Sequence, residues 1–250
     1  MIEHVLKNEH IAQDIYALST TFYKAEDFVP GQFAHVKIPG HEELLLRRPI
    51  SIHSVDVQKK ELTLIYAVVG QGTQVLSTLQ PGAEIDILAP LGNGFWQLGK
   101  YQNIWLIGGG IGISPLCSLL EKYPQKRFSA FLGYRDAAHL YAQEKFSACE
   151  RTVITTDDGS FGVHGFATDE LAKALEQEKP DAIAACGPPA FFRSLKKATE
   201  GLEGVAVYAS LEQHMGCGVG GCATCVCKVG GRHRKVCMEG PVFLLDEVTI

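Results

Sequence analysis

The sequence predicts three parts in series: an antiparallel β-barrel, a parallel α/β domain and a small cysteine-rich C-terminal subdomain. Short runs of alternating apolar and polar residues fill roughly the first hundred positions, and strands alternate with helices over the next hundred. Five of the eight cysteines lie after residue 210. We place the boundaries at 1–98, 99–209 and 210–250.

The barrel is predicted from strands of period two that are separated by turn signals. Runs 31–38 and 61–69 alternate apolar and polar side chains, and proline-glycine pairs at 30–31, 39–40 and 81–82 mark turns. Such alternation gives each strand one core face and one polar face, as in an antiparallel barrel or sandwich. We expect a small barrel.

In the second part, short apolar runs typical of buried strands are followed by helix-like segments. This order predicts a parallel sheet with crossover helices. The predicted strands are 104–107, 128–132, 153–155, 182–185 and 205–208, and the predicted helices are 114–122, 168–177 and 190–198. The strand ends of such a sheet are a candidate nucleotide-binding edge.

Charge and hydropathy exclude some classes of partner. The net charge is −5 and the basic residues are dispersed, so neither a nucleic-acid surface nor a basic membrane patch is expected. The N-terminus has no long apolar segment, and no apolar run approaches the roughly 18 residues that cross a bilayer. We expect a cytoplasmic protein with small molecules and proteins as partners.

The cysteine spacing near the C-terminus predicts an iron–sulfur site. Four residues separate Cys217 from Cys222, and two separate Cys222 from Cys225. Eleven residues separate Cys225 from Cys237. This is the C-x4-C-x2-C…C spacing of plant-type [2Fe–2S] sites, and the glycines of the loop allow backbone N–H groups to face the sulfurs.

Structural zinc is the main alternative occupant of a four-cysteine site, with free thiols as a further alternative, but zinc sites usually offer two short C-x2-4-C knuckles. Only one half of this pattern has that form, which favours [2Fe–2S] with Cys217, Cys222, Cys225 and Cys237 as ligands. Cys227 is interpreted as a small buried hydrophobic residue rather than a ligand.

Two anion-binding motifs lie in the barrel. Arg48, in an Arg-Pro-Ile-Ser run at 48–51, stands at a strand entrance, and Gly72-Thr73 precedes a helix-like stretch at 74–79. An arginine and a helix N-terminus both suit a diphosphate, since they offer charge and free N–H groups. An ordinary strand and a simple helix cap remain the alternatives.

The α/β region opens with a glycine-rich turn, 108–112, between a strand and a helix, which could hold a pyrophosphate. It lacks the G-x-G-x-x-G fingerprint, because Ile113 stands where the last glycine is needed. Cys186-Gly187-Pro188 ends another strand on the same predicted edge.

The order of these motifs resembles that of the ferredoxin–NADP reductase superfamily: Arg-Pro-Ile-Ser, then the glycine turn, then Cys-Gly-Pro-Pro at 186–189. With the cysteine-rich tail, nearly the whole chain is similar to the electron-transfer subunits of class 1B dihydroorotate dehydrogenases. The stretch 211–218, Leu-Glu-Gln-His-Met-Gly-Cys-Gly, is the most specific part of the resemblance.

The resemblance implies FAD, NAD and a [2Fe–2S] cluster, with no catalytic base in this chain. It places FAD at Arg48, Pro49, Ile50, Ser51, Ile65, Tyr66, Ala67, Gly72 and Thr73. It places NAD at Gly109, Gly110, Gly112, Cys186, Gly187 and Pro188, with Cys186 near the nicotinamide. NAD is favoured over NADP, although Arg135 could meet a 2′-phosphate.

The implied activity is electron transfer in pyrimidine (UMP) biosynthesis. Electrons would pass between an FMN-containing, dihydroorotate-oxidising subunit and NAD, through the cluster and FAD, in a heterotetramer of two plus two. The alternatives are a subunit serving a sulfide dehydrogenase, a hydrogenase or a ferredoxin–NADP transhydrogenase, and a non-catalytic redox or zinc-binding regulatory module.

Overall fold

The structure is a computed structural model that describes residues 1–24, 26 and 28–250. Its two main sheets are a closed six-stranded antiparallel barrel and a seven-stranded, mostly parallel sheet. A two-stranded ribbon lies in the C-terminal part. The predicted fold class is confirmed.

The barrel has the strand order β1-β2-β5-β4-β3-β6, with one helix, α1, between β5 and β6. Its elements are β1 Ile2–Ala12, β2 Ile15–Thr21, β3 Phe33–Lys37, β4 Arg48–Asp56, β5 Glu61–Ala67, α1 Gln71–Thr78 and β6 Glu84–Leu91. On β3, Ala34 and Val36 belong to the barrel core. Because side chains alternate along a strand, Phe33 and His35 point out of the barrel.

The second sheet has the order β10-β9-β8-β7-β11-β12-β15. Its first elements are β7 Asn103–Gly109, α2 Ser114–Lys122, β8 Arg127–Tyr134, β9 Arg151–Thr156, β10 Val163–His164, α3 Ala167–Leu175, β11 Ala182–Cys186, α4 Pro189–Ala198 and β12 Ala206–Ser210. The central strands are buried almost throughout, because a parallel sheet is covered on both faces. The predicted strand and helix order is therefore confirmed.

The C-terminal region is tied to the second sheet rather than standing apart from it. Its elements are β13 Val226–Val229, β14 Arg232–Lys235, α5 Val236–Glu239 and β15 Val242–Leu244. Strand β15 pairs antiparallel with β12, an edge strand that the sequence pattern did not predict. Phe243 and Leu245 are buried and belong to the core that covers one face of this sheet. The boundaries 1–98, 99–209 and 210–250 stay predictions.

Among the described residues, no helix combines the length and the apolar character that crossing a membrane requires.

Candidate functional site

The four predicted cluster cysteines form two pairs that are joined by backbone N–H contacts to sulfur. The Cys217 N–H donates to Cys222 Sγ at 3.3 Å, and the Cys222 N–H donates to Cys217 Sγ at 3.4 Å. The Cys237 N–H donates to Cys225 Sγ at 3.4 Å. All four thiols are free.

The paired arrangement fits a two-iron centre. In the described part of the chain, no three His, Cys, Asp or Glu side chains converge on one metal-ion position. A [2Fe–2S] cluster needs only two cysteines on each iron. Further amides already face the sulfurs, since the Gly220 N–H lies 3.2 Å from Cys237 Sγ and the Gly221 N–H lies 3.1 Å from Cys217 Sγ. The donor set therefore fits the cluster that the spacing predicts.

One edge of the cysteine loop reaches the surface. Cys222 is exposed, whereas Cys225 and Cys237 are buried. Hydrogen bonds from the Thr224 side chain and backbone to the Cys222 sulfur lower the pKa of that thiol to about 6. Burial raises the pKa of Cys237 to about 11. A bound metal must therefore displace a proton at the buried end, as metal–thiolate binding generally does.

Cys227 lies on β13, opposite Arg234 in the ribbon. Its side chain is half-buried and packs against the core that contains Cys225 and Cys237, and burial raises its pKa. These surroundings agree with a small hydrophobic residue, and its non-ligand role remains a prediction.

The outward face of β3 and β4 adjoins the cysteine loop. Phe33 pairs with Ser51 and His35 pairs with Pro49, so these four side chains share one face. Phe33 packs in the same buried cluster as Cys225. Two of the predicted flavin residues, Pro49 and Ser51, are thus placed beside the cluster region.

Arg48 lies against the first turn of α1. A Cβ atom added to Gly72 would stand 1.9 Å from Arg48 Nε, so only glycine permits this contact. Arg48 Nη1 donates to the carbonyls of Leu44, at 3.3 Å, and Leu46. The first amides of a helix have no carbonyl partner within it. The guanidinium and the helix N-terminus therefore lie together, and their role as a diphosphate site stays a prediction.

The other predicted flavin residues of the barrel differ in their surroundings. Ile50 belongs to the barrel core, and Ile65 packs in the core of the second domain. The Tyr66 side chain is buried, and its hydroxyl donates to Asn8 Oδ1 at 3.1 Å. Ala67 ends β5, and the Thr73 hydroxyl accepts from the Val69 and Gly70 amides at 2.9 and 3.1 Å.

Replacing Arg48 with alanine is expected to lower FAD affinity about ten- to a hundredfold, because a charge-assisted contact is worth roughly 1.5–3 kcal/mol. Flavin titration of the apoprotein measures this. Arg47→Ala is the matched control, since Arg47 is paired with Asp86. Equal affinity in wild type and Arg48→Ala would move the phosphate site elsewhere.

A cavity of about 480 Å³ opens at the carboxyl edge of the second sheet. Its lining includes the predicted residues Gly109, Gly110, Gly112, Gly187 and Pro188. Cys186 is buried directly before Gly187, and burial raises the pKa of its thiol well above the ordinary value. A Cβ on Gly112 would lie 2.5 Å from the Cys186 carbonyl oxygen, so this glycine brings the turn onto the end of β11.

Glu212 is a cavity residue that our sequence reasoning did not single out. It follows β12, and Ser210 of that strand pairs with Cys186 of β11. Its side chain is open to the cleft, but the surrounding protein desolvates the carboxylate and raises its pKa. The sequence did contain a signal, because Glu212 belongs to the stretch 211–218, the most specific part of the resemblance. Only the pairing of β12 with β11, however, places this residue at the cavity.

A buried histidine connects the barrel with the glycine turn. His53 Nδ1, on β4, donates to the Ser114 carbonyl oxygen at 3.2 Å, at the start of α2. Burial lowers the pKa of His53 to about 4. The neutral imidazole therefore joins the candidate flavin strand to the candidate nucleotide turn.

This histidine predicts a pH effect on stability. A pKa below the ordinary 6.5 means that the unfolded state binds more protons, so stability falls as pH drops from about 6.5 toward 4. Between pH 7 and 5 the loss is expected to be about 2 kcal/mol. Urea unfolding at both pH values should show a smaller loss for His53→Gln than for wild type, with the exposed His214→Gln as control. Equal losses in all three proteins would contradict this assignment.

Solved structures resemble the whole chain. The NADH-dependent reduced ferredoxin–NADP oxidoreductase has a TM-score of 0.89 and 26% identity, covering 100% of this chain and 90% of that chain. A ferredoxin NADP⁺ reductase from Neisseria gonorrhoeae, solved with FAD and NADP, has a TM-score of 0.71 and 17% identity, covering 84% and 98%. The second likeness concerns the fold alone.

Two family models match parts of the chain. Residues 106–197 match an oxidoreductase NAD-binding domain, and residues 212–249 match the iron–sulfur cluster binding domain of dihydroorotate dehydrogenase B. Fold and cysteine loop together define an oxidoreductase of the ferredoxin–NADP reductase type with an added iron–sulfur domain.

Curated relatives identify the family within this class of oxidoreductases. The electron transfer subunit of dihydroorotate dehydrogenase B (NAD(+)) from Enterococcus faecalis (strain ATCC 47077 / OG1RF) is 40% identical, covering 98% of this chain and 97% of that protein. The corresponding subunit from Geobacillus sp. (strain WCH70) is 39% identical with the same coverage. The chain belongs to the family of dihydroorotate dehydrogenase B electron transfer subunits.

Proposed function

We propose that this chain carries electrons between a dihydroorotate-oxidising, FMN-containing subunit and NAD, through a [2Fe–2S] cluster and FAD, in pyrimidine biosynthesis. The proposal makes it an oxidoreductase component that acts on dihydroorotate only with its catalytic partner.

The observation that carries the proposal is that β4 adjoins all three candidate sites. Arg48 contacts Gly72 at one end of the strand, where we place the anion site. His53 donates to the Ser114 carbonyl at the start of α2, two residues after the glycine turn, and Pro49 pairs with His35, which contacts the cysteine loop. A flavin held on this strand would lie between nucleotide and cluster.

A bound flavin would supply the chemistry that joins a two-electron nicotinamide to a one-electron cluster. The chain's own residues would bind and orient the flavin and the nucleotide. Arg48 and the α1 amides would hold the diphosphate, and the glycine turn would bring the nucleotide against β11 and Glu212. Cys186, buried directly before the cavity residue Gly187, would keep its thiol protonated, because burial raises its pKa.

The cavity favours NAD over NADP. Arg135 is its one candidate cation for a 2′-phosphate among the described lining residues, and it is largely exposed. Its Nε lies 4.0 Å from the Asp136 carboxylate, and Asp157 and Asp158 add further acidic groups nearby. Like charges would oppose a phosphate there, whereas a ribose hydroxyl could donate to a carboxylate.

The proposed partner surface is the exposed edge of the cysteine loop. Val219 and Met238 are 54% and 52% exposed and flank this edge together with Cys222. Burying them would also cover the cluster from solvent. The heterotetramer of two plus two subunits and the cytoplasmic location are further parts of the proposal.

Reconstitution tests this function. Mixed with a dihydroorotate-oxidising FMN protein, the chain should form a complex in gel filtration that reduces NAD with dihydroorotate, and neither component should do so alone. Val219→Asp should break the complex while leaving NADH reduction of bound flavin intact. Val57→Asp, at a 49% exposed valine in the turn after β4, is the matched control. No complex between the two cofactor-loaded wild-type proteins would contradict the proposal.

A second candidate is a subunit of a ferredoxin–NADP transhydrogenase, because the likeness to the NADH-dependent reduced ferredoxin–NADP oxidoreductase extends over the whole chain. Its 26% identity is well below the 40% of the dihydroorotate relatives, which favours the first candidate. Electron exchange with ferredoxin but not with the dihydroorotate-oxidising protein would reverse this preference.

A further inference from the structure

His35 is a buried histidine at the boundary between the candidate flavin strand and the cysteine loop. Its side chain has no solvent exposure. Neither ring nitrogen makes a hydrogen bond of normal geometry to the residues that the structure describes, although backbone groups of Cys217 and Arg47 lie near the ring. Buried polar atoms are nearly always satisfied, and an exception in a folded protein indicates a group such as a bound ion or cofactor.

The ring of His35 lies against the cysteine loop. A Cβ on Gly218 would lie 2.4 Å from His35 Nδ1 and 3.0 Å from its Cε1, so the imidazole rests directly on the backbone beside Cys217. Gly218 has a φ of +71°, which allows the loop to turn tightly at this contact. Phe33, on the same face of β3, packs with Cys225 and so directs this face toward the cysteines.

Two features separate His35 from an ordinary core histidine. His53, the other buried histidine of the barrel, has a definite partner in Ser114. His35 keeps at least one N–H that can donate in every protonation state of imidazole. Its ring faces a loop whose sulfurs already receive N–H groups from Gly220 and Gly221.

We propose that His35 is a positioning residue of the iron–sulfur centre, whose ring N–H donates a hydrogen bond to a sulfur of that centre and raises its reduction potential. Hydrogen bonds to sulfur help set cluster potentials, since they stabilise the more negative, reduced state. This inference rests on the proposed function, because it requires the cluster. Through the pairing of His35 with Pro49, the same strand pair would hold the centre beside the flavin site.

A redox titration of the holoprotein, followed by electron paramagnetic resonance, tests the role. His35→Leu should shift the cluster midpoint to a more negative potential. His35→Gln, which keeps an N–H donor, should restore part of the shift. His214→Leu removes an exposed histidine three residues before Cys217 and should leave the midpoint unchanged. An unchanged cluster midpoint in His35→Leu, or a shift of the flavin midpoint alone, would overturn the inference.

A second measurement uses the unaltered chain and so does not depend on how the variants fold. In reduced holoprotein grown with ¹⁵N-histidine, electron–nuclear double resonance should detect a histidine nitrogen coupled to the cluster spin. No such coupling would overturn the inference while leaving the proposed function intact. A purified chain that binds no iron–sulfur centre would instead contradict the proposed function itself.

Discussion

Replacing Cys222 with serine is expected to remove the iron–sulfur centre and leave the flavin in place. Cys222 is one of four predicted ligands, and its thiol has a pKa near 6 before any metal binds, so it is well suited to act as a thiolate ligand. Changes even outside the ligand shell lower metal affinity about ten- to a hundredfold. Affinity for the iron–sulfur centre should therefore fall at least about tenfold, and iron per chain should fall below two.

The retained flavin follows from the separation of the two sites. Arg48 and Gly72 contact each other in the barrel, whereas Cys222 contacts Gly216 in the C-terminal loop, so NADH should still reduce FAD in the variant. Cys227→Ser is the matched control, because this residue is a cysteine of the same region with a predicted non-ligand role. Iron and flavin absorption spectra give both contents. Full iron in Cys222→Ser, or lost iron in Cys227→Ser, would contradict the ligand assignment.

Replacing Gly112 with alanine is expected to weaken NAD binding about tenfold or more. The added Cβ would stand 2.5–2.7 Å from the backbone of Cys186 and Gly187, where no flexible side chain can yield. Overpacking of this kind typically costs about 1–3 kcal/mol. The glycine turn would therefore have to move away from β11. The glycine turn and the end of β11, which line the nucleotide cavity, would then no longer be correctly spaced for NAD.

Calorimetric titration with NADH measures this effect, and FAD affinity in the same variant should stay at the wild-type value. Gly99→Ala is the matched control. Its added Cβ would have one neighbour, the Tyr123 hydroxyl, at 3.9 Å. Wild-type NADH affinity in Gly112→Ala would show that the nucleotide does not depend on this turn.

Local patterns in the sequence were enough for most of the architecture. Period-two runs predict the barrel, and the alternation of strands with helices predicts the parallel sheet, because both signals arise within a single element. The predicted helix 114–122 has the same bounds as α2. Pro115 favours a helix start at this position. The spacing of the four cysteines likewise predicts their loop, because three of them lie within nine consecutive residues.

Only the tertiary structure decided which distant residues meet. The pairing of β15 with β12, the placing of Glu212 at the nucleotide cavity and the contact of His35 with Gly218 each join parts of the chain that local patterns treat as unrelated. His35 and Gly218 are far apart in sequence, and nothing near either residue specifies the other. Strand pairing and core packing bring them together, and those contacts form only when the sheets and the barrel fold against one another.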